Sequence, residues 1–137
     1  MVGRLARSLL ALMCLGALVG AAVPSGAGAV MVGLSDQGAA MFSDQKLLRL
    51  NIRQARLVVF WDVAVMRDKG PLNEARAWIG AAQAAGVTPM ISFGGHGNYI
   101  PNWRVYRTAV RAFLREFPQV KTYTAWNEPD WIYRPRL

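Results

Sequence analysis

The sequence predicts an α/β protein whose elements follow the order βαβαβαβ. Three observations support this prediction: short apolar runs rich in β-branched residues alternate with helical patterns, prolines precede the two longest helical patterns, and polar residues close each apolar run. The strands begin near residues 30, 56, 87 and 120. Strands separated by helices imply parallel pairing with right-handed crossovers. Two architectures share this order, a doubly wound open sheet and a (β/α)8 barrel.

Residues 30–61 predict two strands with a short helix between them. Residues 30–34 are an apolar run closed by Ser35, Asp36 and Gln37. The Ser43-Asp44 pair suits the N-cap of a short helix that carries several leucines. Residues 56–61 are β-branched and aromatic on both faces, which is typical of a strand in a parallel sheet covered on both sides.

The middle of the sequence predicts a helix followed by a third strand. Pro71 fits the first turn of a helix, whose apolar side chains recur at helical spacing until Gly86. Residues 87–93 form the next apolar run. This strand opens into a glycine-rich segment that contains His96.

The last helix has a clear amphipathic pattern between Pro101 and Pro118. Apolar side chains are predicted on one side, the core side: Trp103, Tyr106, Val110, Phe113, Leu114 and Phe117. Arginines recur on the other side, which indicates a solvated face: Arg104, Arg107, Arg111 and Arg115. Residues 120–126 then form the fourth predicted strand.

Residues 1–29 predict a secretory signal peptide. Arg4 and Arg7 make a basic head, residues 8–23 are apolar, and residues 27–29 offer a small-residue cleavage site. The alternative is a membrane anchor, but the apolar run is short against the ~20 residues needed to span a bilayer. We therefore expect cleavage after Ala29, a secreted domain over residues 30–137, and no stable membrane anchor after cleavage.

Composition excludes several kinds of partner and cofactor. The net charge of +8 is carried mainly by arginines that are spread over all elements, so we expect no nucleic-acid partner. Neither a G-x-G-x-x-G turn nor a P-loop follows the first strand, which disfavours nucleotide binding. Cys14 is the only cysteine and lies in the predicted signal peptide. We expect no cofactor and no metal.

Polar and aromatic residues follow every predicted strand. Because parallel strands end at one edge of a sheet, these residues are expected on one rim. The polar set is Asp36, Gln37, Asp62, His96, Asn98, Asn127 and Glu128, and the aromatic set is Trp61, Tyr99, Trp126 and Trp131. Carboxylate, amide, imidazole and indole groups together suit a neutral ligand rich in hydroxyls, such as a sugar.

Two motifs carry a resemblance to a known family. Trp126-Asn127-Glu128-Pro129 resembles the strand-four signature of clan A glycoside hydrolases, which include cellulases, xylanases and β-xylosidases. Arg56 followed by Trp61 is similar to the second-strand pattern of that clan. The resemblance covers nearly all of residues 30–130. It implies the N-terminal half of a (β/α)8 barrel.

The resemblance also implies roles for single residues in a carbohydrate site. Glu128 would be the general acid/base, a role that needs its carboxyl partly desolvated. Asn127 would bind the 2-hydroxyl of the sugar, and Arg56 would orient carboxylates from below. His96 matches less closely, because the glycines before it replace the Asp-x-His pattern of the clan. The remaining substrate-binding candidates are Trp61, Trp126 and Asp36.

Two of these residues, and the function as a whole, also have simpler interpretations. Arg56 also suits a cation at a strand edge, and His96 a solvated loop residue. A retaining glycosidase needs a second carboxylate, the nucleophile, which this clan places on the seventh strand. The sequence ends after the fourth strand, so we expect a catalytically incomplete protein with open sheet edges that promote self-association. Two alternatives to a glycoside hydrolase remain: a non-catalytic carbohydrate-binding or interaction domain, and an unrelated secreted α/β domain.

Overall fold

The computed structural model describes residues 31–97 and 99–128. The predicted signal peptide, Asn98 and Trp131 lie outside the described residues. The predicted alternation of strands and helices is confirmed. The elements are β1 (Leu34–Ser35), a 3-10 helix (Ala39–Ser43), α1 (Gln45–Arg49), β2 (Gln54–Phe60), α2 (Gly70–Ala84), β3 (Thr88–Gly94), α3 (Trp103–Glu116) and β4 (Thr122–Thr124).

The strands form one parallel sheet in the order β1-β2-β3-β4. The order follows the chain without the reversal that creates the switch point of a doubly wound sheet. One row across the sheet consists of Ser35, Arg56, Met90 and Thr122. Residues in one row of a parallel sheet point to the same face, so this register decides which side chains share a surface.

The two faces of the sheet differ in what covers them. In β2, Ala55, Leu57 and Val59 are buried, whereas Arg56 and Val58 on the other face are only half-buried. The buried face packs against α2 and α3, whose apolar side chains join the same core. The expectation of a sheet covered on both sides is therefore wrong for the described residues. Right-handed crossovers between successive neighbouring strands place every helix on the same side.

The core lies between the sheet and these two helices. Its largest fully buried side chains include Trp78 of α2, Phe93 of β3 and Phe113 of α3. Phe93 and Phe113 meet edge to face, with ring centroids 5.3 Å apart at 89°. The indole Nε1 of Trp78 donates a hydrogen bond to the carbonyl oxygen of Asp36 at 3.0 Å. This bond ties the segment after β1 to α2 and satisfies the polar atom of a buried indole.

Capping residues explain where the helices begin and end. Asp44 accepts a hydrogen bond from the backbone N–H of Lys46 at 2.7 Å, as predicted for the N-cap of α1. The second residue of α2 is Pro71, and Gly86 follows its end at φ 69°, a conformation that favours glycine. Asn102 caps α3 through a 2.9 Å bond from the N–H of Arg104.

The outer strands are shorter than predicted. β1 pairs only through Leu34 and Ser35, and β4 pairs only over Thr122–Thr124. The backbone N–H of Val120 instead closes a turn on the carbonyl oxygen of Phe117 at 3.1 Å. β1 therefore pairs only with the start of β2. From Leu57 onward, the edge of β2 that faces β1 has no strand partner among the described residues.

The apolar stripe of α3 is narrower than predicted. Phe113 is fully buried, but Trp103 is 58% exposed and Leu114 is 37% exposed. At about 100° per residue, Trp103 lies roughly 80° and Leu114 roughly 100° around the helix from Phe113. The prediction that Trp103 belongs to the core is therefore wrong.

Among the described helices, none has the length and apolar character that crossing a bilayer requires.

Candidate functional site

The carboxyl ends of β2 and β3 border a cavity of about 530 Å³. The segment after β4 closes one side of it with Trp126, Asn127 and Glu128. Other lining residues come from the strand ends, the segment after β1 and the start of α2: Phe60, Gly94, Gly95, Gln37, Pro71 and Glu74. The sheet edge on which the sequence placed its candidate site therefore does carry a cavity.

Gly95 brings the ring of Trp126 into close contact with the end of β3. A Cβ atom added at Gly95 would lie 2.7 Å from Cζ2 of Trp126, which is closer than any side chain tolerates. On its other side Trp126 packs near Tyr106, with ring centroids 5.9 Å apart. The indole is therefore held between a loop and a helix, where it forms part of the cavity wall.

Asn127 carries an unpaired buried acceptor. Its backbone N–H donates to the carbonyl oxygen of Phe93 at 2.7 Å and so extends the contact between β3 and the segment after β4. Its side-chain oxygen Oδ1 is buried, and no donor among the described residues reaches it. A buried acceptor without a donor costs about 1–3 kcal/mol. Asn127 also lines the cavity, so a small side-chain rearrangement would be needed to bring this oxygen to a ligand there.

Glu128 lines the cavity from an unusual backbone conformation. Its φ of 49° lies in the left-handed region, which costs a residue with a Cβ atom about 1–2 kcal/mol. The residue is exposed. The shielding that a general acid requires is therefore not provided by the described neighbours of Glu128, although Trp126 lines the same cavity.

Asp62 and His96 form a hydrogen-bonded contact between the loops after β2 and β3. Oδ1 of Asp62 lies 2.7 Å from Nε2 of His96. The imidazole also stacks on Phe60, with ring centroids 4.2 Å apart and planes inclined by 18°. Phe60 lines the cavity, whereas His96 is not among the lining residues. His96 thus supports the wall of the cavity through Phe60 and Asp62.

The structure does not bring Asp36 or Trp61 into the cavity. The carboxylate of Asp36 accepts the N–H of Gly38 at 2.7 Å, and the neighbouring Gln37 lines the cavity instead. Trp61 is 5% exposed and lies against Tyr106 in the core, with ring centroids 6.2 Å apart. An odd spacing of five residues from Arg56 places Trp61 on the core face, opposite Arg56, because alternate residues of an extended chain point to opposite faces.

Arg56 lies on the open face of the sheet, below the cavity. Its Nε donates to Oγ of Ser35 at 3.2 Å. Phe60 points to the same face four residues further along β2, which is about 13 Å at the rise of a strand. Within residues 31–97 and 99–128, Arg56 has no carboxylate at ion-pair distance. The acids that it would orient are therefore not found in this part of the chain.

The structure adds Glu74 to the candidate residues. Glu74 lies near the start of α2 and lines the same cavity as Glu128. A helix that follows a parallel strand runs back along the sheet, so its first turns share the edge where the strands end. That topology was the one available signal for Glu74, since nothing in its local sequence distinguishes it.

Tyr106 fixes the segment that leads to the site. Its hydroxyl donates a hydrogen bond to the carbonyl oxygen of Ala125. Burial raises the pKa of the Tyr106 hydroxyl above its usual value, so the neutral donor form is favoured. Residues 125–128 are thereby attached to α3 as well as to β3.

No cluster of three or more possible metal ligands occurs among residues 31–97 and 99–128. The site consists of one amide oxygen without a donor among the described residues, two carboxylates, a glutamine and an aromatic wall, which are groups that can form hydrogen bonds and stacking contacts with a polar neutral ligand. The resemblance to clan A glycoside hydrolases stays a prediction. Comparisons of the chain with protein-family models, with curated proteins and with solved structures found no match to any of them.

Proposed function

We propose that the chain is a glycoside hydrolase-like protein that binds a carbohydrate in the cavity at the carboxyl edge of its sheet. In this proposal Glu128 is the general acid/base, and Oδ1 of Asn127 accepts a hydrogen bond from a sugar hydroxyl. The observation that carries the proposal is that Trp126, Asn127 and Glu128 line one cavity, and that Oδ1 of Asn127 has no donor among the described residues. Trp126 supplies an apolar surface for the C–H face of a sugar ring.

We further propose that the sheet is the first half of a (β/α)8 barrel. The sequential strand order and the single helix-covered face both support this, because a barrel keeps its helices outside and its strands in chain order. The open face would then be the lumen. It carries Arg56, Val58, Met90 and Thr124, a mixture of polar and apolar side chains.

The proposed chemistry at Glu128 is proton transfer at the glycosidic oxygen. Its carboxyl donates a proton to the leaving oxygen and later takes one from the attacking water. A retaining mechanism also needs a carboxylate nucleophile about 5–5.5 Å from this group. Among the described residues, Glu74 is the one other carboxylate in the cavity wall. We propose that full turnover requires the clan's strand-seven glutamate, supplied by a further segment or subunit.

Hydrolysis of aryl β-glycosides by the wild type and by Glu128→Gln tests the proposed chemistry. We expect any turnover of the wild type to fall at least about 100-fold in Glu128→Gln, the usual range for loss of a general acid. Glu116→Gln is the matched control, since it removes only an exposed ion pair with Arg76. Measurable turnover by the wild type that Glu128→Gln leaves unchanged would refute the role of Glu128.

A non-catalytic carbohydrate-binding domain is the second candidate function. The exposure of Glu128 favours it, because an acid/base carboxyl works in a shielded position. In this case the wild type binds sugars without turnover, and Glu128→Gln binds them equally well. Asn127→Ala is then expected to weaken binding by about tenfold, through loss of one ligand hydrogen bond.

We also propose that the open sheet edges promote self-association. The part of β2 from Leu57 onward and the outer side of β4 present backbone groups without a strand partner among the described residues, and such edges pair with other chains. Light scattering of the purified chain is expected to show a dimer or larger species. A monomer that resists proteolysis at all concentrations would contradict this.

The proposed location is extracytoplasmic and follows from the sequence of residues 1–29. The proposal requires that the exported protein begins at Val30.

A further inference from the structure

The start of α3 presents an exposed surface of aromatic and basic side chains, which we call the aromatic–arginine patch. It consists of Tyr99, Ile100, Trp103, Arg104 and Arg107. The first three are 57%, 51% and 58% exposed, respectively. The guanidinium carbons of Arg104 and Arg107 lie 5.2 and 5.0 Å from the centroid of the Trp103 ring. A large apolar ring flanked by two cations on the surface is unlike an ordinary solvated helix.

The charge on the exposed side of α3 is unbalanced. Four arginines project within about 80° of one another along roughly 16 Å of helix: Arg104, Arg107, Arg111 and Arg115. Glu116 is the one acid in the helix, and it binds Arg76 of α2 rather than any of these arginines. Like charges three or four residues apart destabilise a helix, whereas a typical solvated face alternates their signs. An anionic partner would compensate for this repulsion.

The patch adjoins the cavity. Gly95 and Gly97 line the cavity, and the chain reaches Trp103 six residues after Gly97. α3 begins at the edge where β3 ends, so Trp103 and the cavity lie at the same end of the sheet. Tyr99 connects the two, because its carbonyl oxygen lies 3.3 Å from the position of a Cβ atom built on Gly95, which lines the cavity. An extended ligand in the cavity is expected to follow this path towards Trp103.

We propose that the aromatic–arginine patch binds an acidic polysaccharide, with sugar rings against Trp103 and carboxylates paired with Arg104 and Arg107. The inference rests on the proposed function, in which the adjoining cavity holds a sugar. A bilayer surface is the competing partner, since interfacial helices also combine tryptophan with arginine, and the test below includes it. A nucleic acid fits less well because the patch continues into a site built for hydroxyl groups.

The test compares two polymers that differ only in charge. Polygalacturonate and its methyl ester of the same length are titrated into the full chain in about 0.1 M salt, where exposed ion pairs are still felt. We expect the acidic polymer to bind about tenfold more tightly, the sum of two exposed charge contacts. Arg104→Gln/Arg107→Gln should remove this preference, and Trp103→Ala should weaken the binding of both polymers.

The matched control is Arg49→Gln/Arg53→Gln, which removes the same charge before the start of β2, at the opposite edge of the sheet. It should leave the preference for the acidic polymer in place. Equal binding of both polymers, or equal effects of the two double variants, would overturn the proposal. So would equally tight binding of single-stranded DNA or of phosphatidylserine vesicles that depends on the same three residues.

The outcomes separate this inference from the proposed function. If the acidic polymer binds through the patch but Glu128→Gln does not alter turnover of any glycoside, the proposed chemistry fails and the patch stands. If neutral sugars bind and are turned over while the acidic polymer gains nothing from Arg104 and Arg107, the patch proposal fails alone.

Discussion

Replacing Phe113 by alanine is expected to lower the free energy of unfolding by about 3–5 kcal/mol, the range for a buried phenylalanine. Phe113 is fully buried and packs against Phe93 and Phe117, with ring centroids 5.3 and 4.6 Å away. Its ring connects α3 to β3, and truncation leaves a cavity that the sheet and helix cannot close. A domain of this size has a total stability of only about 5–15 kcal/mol. The variant is therefore expected to be partly unfolded at 37 °C.

Leu114→Ala is the matched control for Phe113→Ala. It truncates the next residue of the same helix, which is 37% exposed, so the expected loss is about 1 kcal/mol or less. Urea unfolding followed by far-UV circular dichroism measures both variants. Similar losses in the two variants would show that α3 does not pack through the face that contains Phe113.

Replacing Gly95 by alanine is expected to disrupt the cavity wall. The new Cβ would lie 2.7 Å from Cζ2 of Trp126 and 3.3 Å from the carbonyl oxygen of Tyr99. Overpacking of this kind costs about 1–3 kcal/mol, and each kcal/mol lowers the melting temperature of a domain of this size by about 4–8 °C. Displacement of the Trp126 ring would also weaken sugar binding at the proposed site by about tenfold, if one apolar contact of about 1.4 kcal/mol is lost.

Two further variants identify the cause of the Gly95→Ala effect. Trp126→Phe removes the outer ring atoms that the new Cβ would meet, so the double variant should recover part of the lost stability. Gly80→Ala adds the same methyl group on α2, where no atom lies within 4 Å, and should stabilise the protein by about 0.5–1 kcal/mol. A Gly95→Ala protein that melts at the wild-type temperature, with unchanged sugar binding, would contradict the close contact with Trp126.

The element order was predictable because its signals are local. Asp44, Pro71 and Gly86 act on the backbone within a few residues, and the structure uses them at the boundaries of α1 and α2. The ends of the outer strands were less predictable. Pairing partners rather than apolar character decide where β1 and β4 stop, and a run of apolar residues does not specify its partner.

The candidate site was predictable in position but not in composition. Strand ends in a parallel sheet share one edge, and this placed Asn127 and Glu128 beside the cavity. The sequence also proposed Trp61 and Asp36, yet Trp61 is in the core and Asp36 binds the N–H of Gly38. Each was judged by residue type at a strand end, which does not say where its side chain points.

By itself the sequence determined the α/β alternation, the helix caps and the edge at which polar residues collect, because these depend on backbone preferences and on periodicity within one segment. The tertiary structure alone decided which side chains meet. It paired Asp62 with His96, buried Oδ1 of Asn127 where no donor among the described residues reaches it, and placed Glu74 in the cavity wall. These contacts join segments far apart in the chain, and their distances depend on how helices and strands pack rather than on any local pattern.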